Sequence, residues 1–296
     1  MRYITIVSLL FLALIGSSNG FQNAFAESEA YSLRFYGNGV NDIDRVKIPL
    51  DAPPKAVDVG GDFTIEFYIR VPADENGSGA CVTGNSGWTF GNIIIDRDIF
   101  NDGDYGDYGI ALFGEAGVIA FGVTRGGNGE TLCGSINVVD DAWHHIAVTR
   151  SAETGLLSLY VDGVLDGTVA GPTGDVSYRD GRASSYPNDP YLVIGAEKHD
   201  YDPVYPSYSG WLDELRISTS VRYSADFTPP IIPLAPDAET VGLYHFDEGE
   251  GDLIEDFSGT ESHGVRQFGG TPAGPEWSTE IPFLLPPEAT SEPGGS

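Results

Sequence analysis

The chain has 296 residues, with 44 Asp and Glu against 15 Lys and Arg, a formal charge of −29, and only two cysteines. That balance excludes nucleic acid and anionic membrane surfaces as partners, because both are bound through clustered Lys and Arg. Past the N-terminus no stretch is apolar for the roughly 20 residues a membrane-spanning helix needs, so membrane insertion is not expected.

The N-terminus reads as a secretory signal. Arg2 precedes an apolar run from Ile4 to Ile15, and Ala24-Phe25-Ala26 forms a small-x-small cleavage site before Glu27. Residues 1–26 are therefore expected to be removed and the chain secreted, to an extracellular or cell-surface location. An uncleaved anchor is the competing reading, and the run is short for one.

Strand signals follow. Phe63 to Arg70 alternates strictly, with Phe63, Ile65, Phe67 and Ile69 on one face and Thr64, Glu66 and Arg70 on the other. A period of two predicts a half-buried strand of an antiparallel sheet. Short runs recur at Asn92–Asp96, Gly109–Phe113, Val118–Thr124, Trp143–Arg150, Leu156–Val161, Val164–Val169, Tyr191–Ile194, Trp211–Ile217 and Val241–Phe246. Asp162-Gly163 joins two of them as a two-residue hairpin. No segment keeps a 3.6-residue apolar period, so the class expected is all-β, a two-sheet antiparallel sandwich. One domain is expected over residues 27–271. From Pro272 the chain turns rich in Pro, Gly, Ser and Glu, and residues 272–296 read as a linker or disordered tail.

Two long loops, Pro72–Gly91 and Arg125–Asp141, carry one cysteine each. Cys81 and Cys133 suit an oxidising compartment and can pair, with two free thiols as the alternative. Neither has a second Cys or His at metal-ligand spacing. Asn76-Gly77-Ser78 is a glycosylation sequon in an expected surface loop, and otherwise a turn.

Several residues qualify as site candidates, each with a plain structural alternative. Asp213 shares an alternation with Trp211, Leu215 and Ile217 that looks core-directed, and a buried carboxylate must be hydrogen-bonded, paired or metal-bound. Asp247, Glu248, Asp252 and Asp256 form an acidic loop system that offers the oxygens calcium takes, or simply a solvated turn. Asp96, Asp98, Asp102, Asp104 and Asp107 form a second acidic cluster, without EF-hand spacing, that reads as a charged loop. Tyr178, Tyr186, Tyr201, Tyr205 and Tyr208 lie in polar loops where rings could stack on sugar faces, or pack the loops. Trp88 is a weaker candidate of that kind, and Trp143 and Trp211 are expected in the core. The five histidines show no metal spacing. Catalysis is not expected: the strand-borne pair Asp213-Glu214 should point to opposite faces, and there is no Gly-x-Ser-x-Gly elbow.

Three stretches resemble a known family. Leu33-Arg34-Phe35-Tyr36-Gly37 through Val46-Lys47-Ile48-Pro49 and Asp62 to Phe67 look like the opening of a laminin-G-like (concanavalin A-like) jelly-roll domain. Trp143 to Arg150 followed by Leu159-Tyr160-Val161-Asp162-Gly163 resembles its core hairpin. Gly210 to Ile217, Arg222 to Pro230 and Leu243 to Asp247 are similar to the closing part of its bacterial and phage members. Tyr68 stands where such domains often carry Trp. The resemblance implies a jelly-roll sandwich, frequent calcium at the rim, and partners that are glycans or extracellular proteins; the fold itself names no function. The expectation is a secreted carbohydrate-binding or adhesion module, with a structural part in a surface layer or matrix as runner-up and a polysaccharide-active enzyme third. Oligomeric state is left open.

Overall fold

The computed structural model describes residues 30–38, 44–51, 53–99, 106–178, 190–199 and 204–283. The apolar runs become strands because branched and aromatic side chains pack well on a pleated surface. In chain order the strands are β1 (Ser32–Tyr36), β2 (Arg45–Pro49), β3 (Phe63–Arg70), β4 (Asn92–Arg97), β5 (Asp107–Phe113), β6 (Val118–Arg125), β7 (Asn128–Cys133), β8 (Trp143–Arg150), β9 (Leu156–Val161), β10 (Val164–Ala170), β11 (Tyr191–Ile194), β12 (Ser209–Ser218), β13 (Thr240–Tyr244), β14 (Leu253–Ile254), β15 (Gly264–Gln267) and β16 (Glu276–Ser278). Among the described residues there is no α-helix, only a 3-10 turn at Gly87–Phe90.

Two eight-stranded sheets result. The first runs β10-β9-β8-β3-β12-β1-β16, with β13 also on β12; the second runs β14-β15-β2-β11-β4-β5-β6-β7. The pairings are antiparallel. The inner faces share one core, in which Phe63, Ile65, Phe67 and Ile69 of β3 meet Ile110, Leu112, Phe121 and Val123 of β5 and β6. The chain is the expected two-sheet jelly-roll sandwich.

Two boundaries differ from the sequence reading. The loop expected at Arg125–Asp141 contains β7, which turns back on β6 through Gly126-Gly127, both at positive φ (62° and 72°). The domain also continues past residue 271: β16 adds to β1, and the described chain runs to Phe283, whose ring meets Tyr68 at 5.1 Å. Trp277 supplies the apolar surface that the tail's composition concealed, packing against the core edge.

Both outer faces are largely covered. On the second sheet, Gly109 and Gly122 sit opposite each other, and a Cβ on either would lie 2.1 or 2.0 Å from the Trp88 ring. The two absent side chains make a seat for the indole, which is buried with Ile93, Phe113, Val118 and Ala120. The loop carrying Trp88 is stapled to β7 by a Cys81–Cys133 disulfide across a Cα–Cα distance of 6.0 Å. A closure over 52 residues contributes a few kcal/mol where the chain-entropy account holds.

On the first sheet, residues 219–234 cross the outer face as a strap. Thr64 Oγ1 donates to Ser220 O and accepts from Arg222 N, Tyr223 Oη donates to Glu66, Tyr68 Oη donates to Pro230 O, and Leu234 N donates to Glu214. The strand Phe63–Arg70 is therefore not half-buried as expected. Every residue but Arg70 is buried, because the strap lies on the polar side.

Candidate functional site

Where the strap ends, a strip of the first sheet's outer face stays partly open. One register line crosses five strands there: Glu276 of β16 pairs with Arg34 of β1, Arg34 with Trp211 of β12, Trp211 with Arg70 of β3, and Arg70 with Trp143 of β8. At about 4.8 Å per strand the line is on the order of 19 Å long. Residues on one such line share a face, and this one faces outward because Leu33, Leu212 and Ile69, their alternates, lie in the core. Trp143 and Trp211 are thus not core residues, as expected from sequence, but half-exposed.

The line is held rigidly. Arg34 lies 4.4 Å and Arg70 4.8 Å from the Trp211 ring centroid, and these two come from the strands on either side of it. Arg34 also stacks on Tyr36 at 4.6 Å. Trp211 Nε1 donates to Ser278 Oγ at 3.0 Å. Arg70 donates to both carboxylate oxygens of Asp141, at 2.8 and 3.1 Å, and to Glu280 at 2.7 Å; Arg34 donates to Glu75 and Ser209. Tyr36 Oη donates to Glu276 at 2.6 Å, and burial followed by that carboxylate raises the phenol's pKa to about 12. Segments near Glu75 and from Ser278 to Glu280 flank the line on its two sides.

Beneath the strap lies a buried polar network. Glu66, fully buried, accepts from His145 Nε2 at 3.1 Å, Arg216 Nε at 2.9 Å and Tyr223 Oη at 2.7 Å. Beside it β12 breaks its alternation. Asp213 pairs with Tyr68 and Arg216 with Glu66, so Glu214 and Leu215 both oppose Phe67, and Glu214 takes a φ of 52°. This is a β-bulge. It overturns the expectation that Asp213 and Glu214 point to opposite faces: both carboxylates are buried, at 3% and 2% exposure, and neither can serve a substrate from there.

Burial, then the charges of Glu214 and Asp247, push the Asp213 carboxyl well above the usual range. Among the described residues its one hydrogen bond comes from Glu214 N at 2.8 Å. Glu214 instead accepts from Leu234 N and pairs with His245 Nδ1 at 2.8 Å.

The five residues read as calcium ligands do not assemble. Asp247, whose charge acts on Asp213, accepts from Tyr31 N, and Glu248 accepts from Glu255 N; Asp252 pairs outside with Arg266 at 3.0 Å. Asp256 is used up as a turn former, accepting from Leu243 N, Ser258 and Ser262 N. Those bonds outweigh burial and lower its pKa. Among the described residues no three Asp, Glu, His or Cys side chains are placed to hold a metal together.

A family profile described as the concanavalin A-like lectin/glucanases superfamily, of laminin-G type, matches residues 44–226, more than half of the chain. The chain belongs to this superfamily. Among solved structures it is similar to a candidate carbohydrate-binding protein from Bacteroides ovatus, at 16% identity, with 80% of this chain and 58% of that one covered and a TM-score of 0.52. The chain thus spans little more than half of that protein's length. It is also similar to mouse laminin α1 domains LG4-5 (14% identity, 65% and 44% covered, TM-score 0.43) and to the CBM40 of Ruminococcus gnavus IT-sialidase bound to α2,3 sialyllactose (14%, 63% and 92%, 0.42). At such identities the likeness is one of fold. Among curated proteins none is similar in sequence at a significant level.

The tyrosines that sequence singled out on this lectin-like fold scatter. Tyr208 is fully buried, its hydroxyl donating to Trp211 O at 2.9 Å, and Tyr178 is 5% exposed in the core; neither ring is offered to a ligand. Tyr205 is half-exposed beside the exposed Phe90, with ring centroids 6.1 Å apart. Tyr186 and Tyr201 lie outside the described residues, as do Asp102, Asp104 and residues 1–29. The sequon asparagine is occupied: Asn76 is buried at 6%, donates to Ser209 O and accepts from Ser209 N, so the folded chain has no room for a glycan on it. Trp88 is core. In the second acidic cluster, expected as a charged loop, Asp96 instead lies in β4 and Asp107 in β5, both buried, where Asp96 accepts from Lys198 N and Asp98 N and Asp107 from Ile99 N.

Proposed function

We propose that the chain is a secreted carbohydrate-binding module of the superfamily, with an extended glycan lying along the Trp143–Arg70–Trp211–Arg34 line. The observation that carries this reading is the line itself, a single row of indole and guanidinium planes on the partly open strip of the first sheet's outer face. Rigid aromatic planes edged with fixed polar groups suit sugars, which offer one apolar face and a rim of hydroxyls. Export is supported by the signal-like N-terminus and by the Cys81–Cys133 bridge. A binding role rather than catalysis is favoured because the carboxylates of the two central strands β3 and β12, Glu66, Asp213 and Glu214, are buried.

Affinity electrophoresis of the exported chain through gels carrying a panel of polysaccharides tests the reading. Replacing Trp143, whose ring is not sandwiched between guanidinium groups, with alanine should weaken retardation about tenfold, a hot-spot-sized loss. Phe90→Ala should leave it unchanged. Retardation that ignores Trp143 but falls with Phe90→Ala would move the site to the Tyr205 patch. No retardation by any glycan would favour the structural role.

Calcium assistance belongs to the same proposal, at Asp213 with Asp247. Hard carboxylate oxygens crowded by like charge suit that ion, with backbone and water oxygens completing its shell. Asp213→Asn keeps the acceptor for Glu214 N and removes a carboxylate whose raised pKa makes ionisation costly in the fold. In chelator the variant should melt higher than the parent, by roughly 2–4 °C for a gain on the order of 1 kcal/mol. With calcium added, the parent should gain and the variant should not. Equal calcium response in both would remove Asp213 from the proposal.

A further inference from the structure

The strip's charge deepens that reading, and the inference rests on it: we infer that the site selects glycans bearing free amino groups, accepts uncharged ones more weakly, and excludes acidic ones. The line contains two cations, and both are already neutralised. Arg70 gives Nε and Nη2 to Asp141 and Nη1 to Glu280, and Arg34 gives Nη2 to Glu75. An acidic sugar is recognised through charge-assisted hydrogen bonds from a guanidinium or ammonium group. Here it would have to displace Asp141, which holds Arg70 in two-pronged geometry, or Glu75 from Arg34. No lysine stands in reserve, since Lys47 lies over Tyr191, Lys55 donates to Glu261 O and Lys198 is buried.

The carboxylates are arranged in the opposite sense. Four of them (Glu75, Asp141, Glu276 and Glu280) face two guanidinium groups, and the side chains of Glu75, Asp141 and Glu280 remain 39%, 54% and 59% exposed. Glu276, at the end of the line, is exposed and takes a hydrogen bond from the Tyr36 phenol rather than an ion pair. It is the place where a sugar ammonium group is best received. A chain of charge −29 adds a long-range field of the same sign, attracting ammonium groups and repelling uronates and sulfates.

Calorimetry on the exported chain tests this with short glucosamine oligomers, their N-acetylated counterparts and uronate oligomers of equal length. The buffer is mildly acidic, so that the amines are protonated, and holds about 150 mM salt, which screens charges beyond ~8 Å. The amino oligomers should bind roughly 2–5-fold more tightly than the acetylated ones, the span of an exposed ion pair, and the uronates should not bind. Glu276→Gln should abolish the amino preference, read as the ratio of the two affinities, whereas Glu153→Gln, an exposed carboxylate elsewhere, should leave both affinities and their ratio unchanged. Uronate binding as strong as amino binding, or a preference indifferent to Glu276→Gln, overturns the inference and leaves the glycan reading standing. Binding to none of these oligomers, nor to any polysaccharide in the gel panel, overturns the glycan reading itself.

Discussion

Replacing Glu66 with alanine is expected to lower unfolding stability by about 3–5 kcal/mol, because removing one member of a buried ionic cluster leaves its partners charged and unpaired. Glu66 is fully buried and holds Arg216, His145 and Tyr223 at once. The carboxylate accepts from His145 Nε2, and among the described residues Nδ1 of that ring is buried without a partner. Glu66→Gln should cost less than alanine, since the amide can still accept from one donor. The strap should loosen in both variants, because Tyr223 is one of its anchors. Urea denaturation with hydrogen exchange on residues 219–234 reads both effects.

The same residue sets an acid limb. Burial alone raises its pKa, but the His145 and Tyr223 hydrogen bonds and the Arg216 charge outweigh it, and the net shift is downward. A carboxyl lower in the folded than in the unfolded chain contributes stability that is complete above the unfolded value, near 4.3 for Glu. That contribution fades as pH falls from there through the folded value. Stability plotted against pH should therefore drop less steeply below about pH 4 in Glu66→Ala than in the parent. An unchanged slope would mean that the Glu66 carboxyl is no more acidic in the fold than in the unfolded chain.

The strands were readable because their determinant is local. Period-two alternation in Phe63–Arg70 identifies which side meets the core, and Phe63, Ile65, Phe67 and Ile69 do meet it. What covers the opposite side is decided by residues 219–234, far along the chain, so Thr64 and Glu66 looked solvated. β7 escaped because Asn128 and Gly129 dilute its pattern, although Gly126-Gly127 is a strong two-residue hairpin signal that could have exposed it. The bulge had a signal too. Leu212 demands the inner face and so do Leu215 and Ile217, and these cannot share one alternation without an inserted residue between them. The Glu276–Arg34–Trp211–Arg70–Trp143 line carried no local sign. It exists only through the register of five strands, and no property of Trp211 or Trp143 alone separates a core indole from one on an outer face.

Trp88→Ala is the second large effect, expected at about 3–5 kcal/mol by the loss of a buried indole. The ring fills the space over Gly109 and Gly122 and supports the loop from Pro72 to Gly91. Among the described residues its Nε1 is buried without a partner, however, and an unsatisfied donor detracts about 1–3 kcal/mol from what the ring contributes. Trp88→Phe, which removes that donor and keeps most of the apolar contact, should therefore cost less than the volume lost would suggest. Gly122→Val approaches the seat from the other side: its Cβ would lie 2.0 Å from the indole, so the ring must leave. The two changes share one mechanism and should not add. With the disulfide intact, Gly122→Val in a Trp88→Ala background should cost clearly less than it does alone, a coupling measurable as a double-mutant cycle in denaturant. Additive losses would mean that the glycines serve the strand backbone rather than the indole, and the loop would then owe its position to Cys81–Cys133 and to its hydrogen bonds with the sheet.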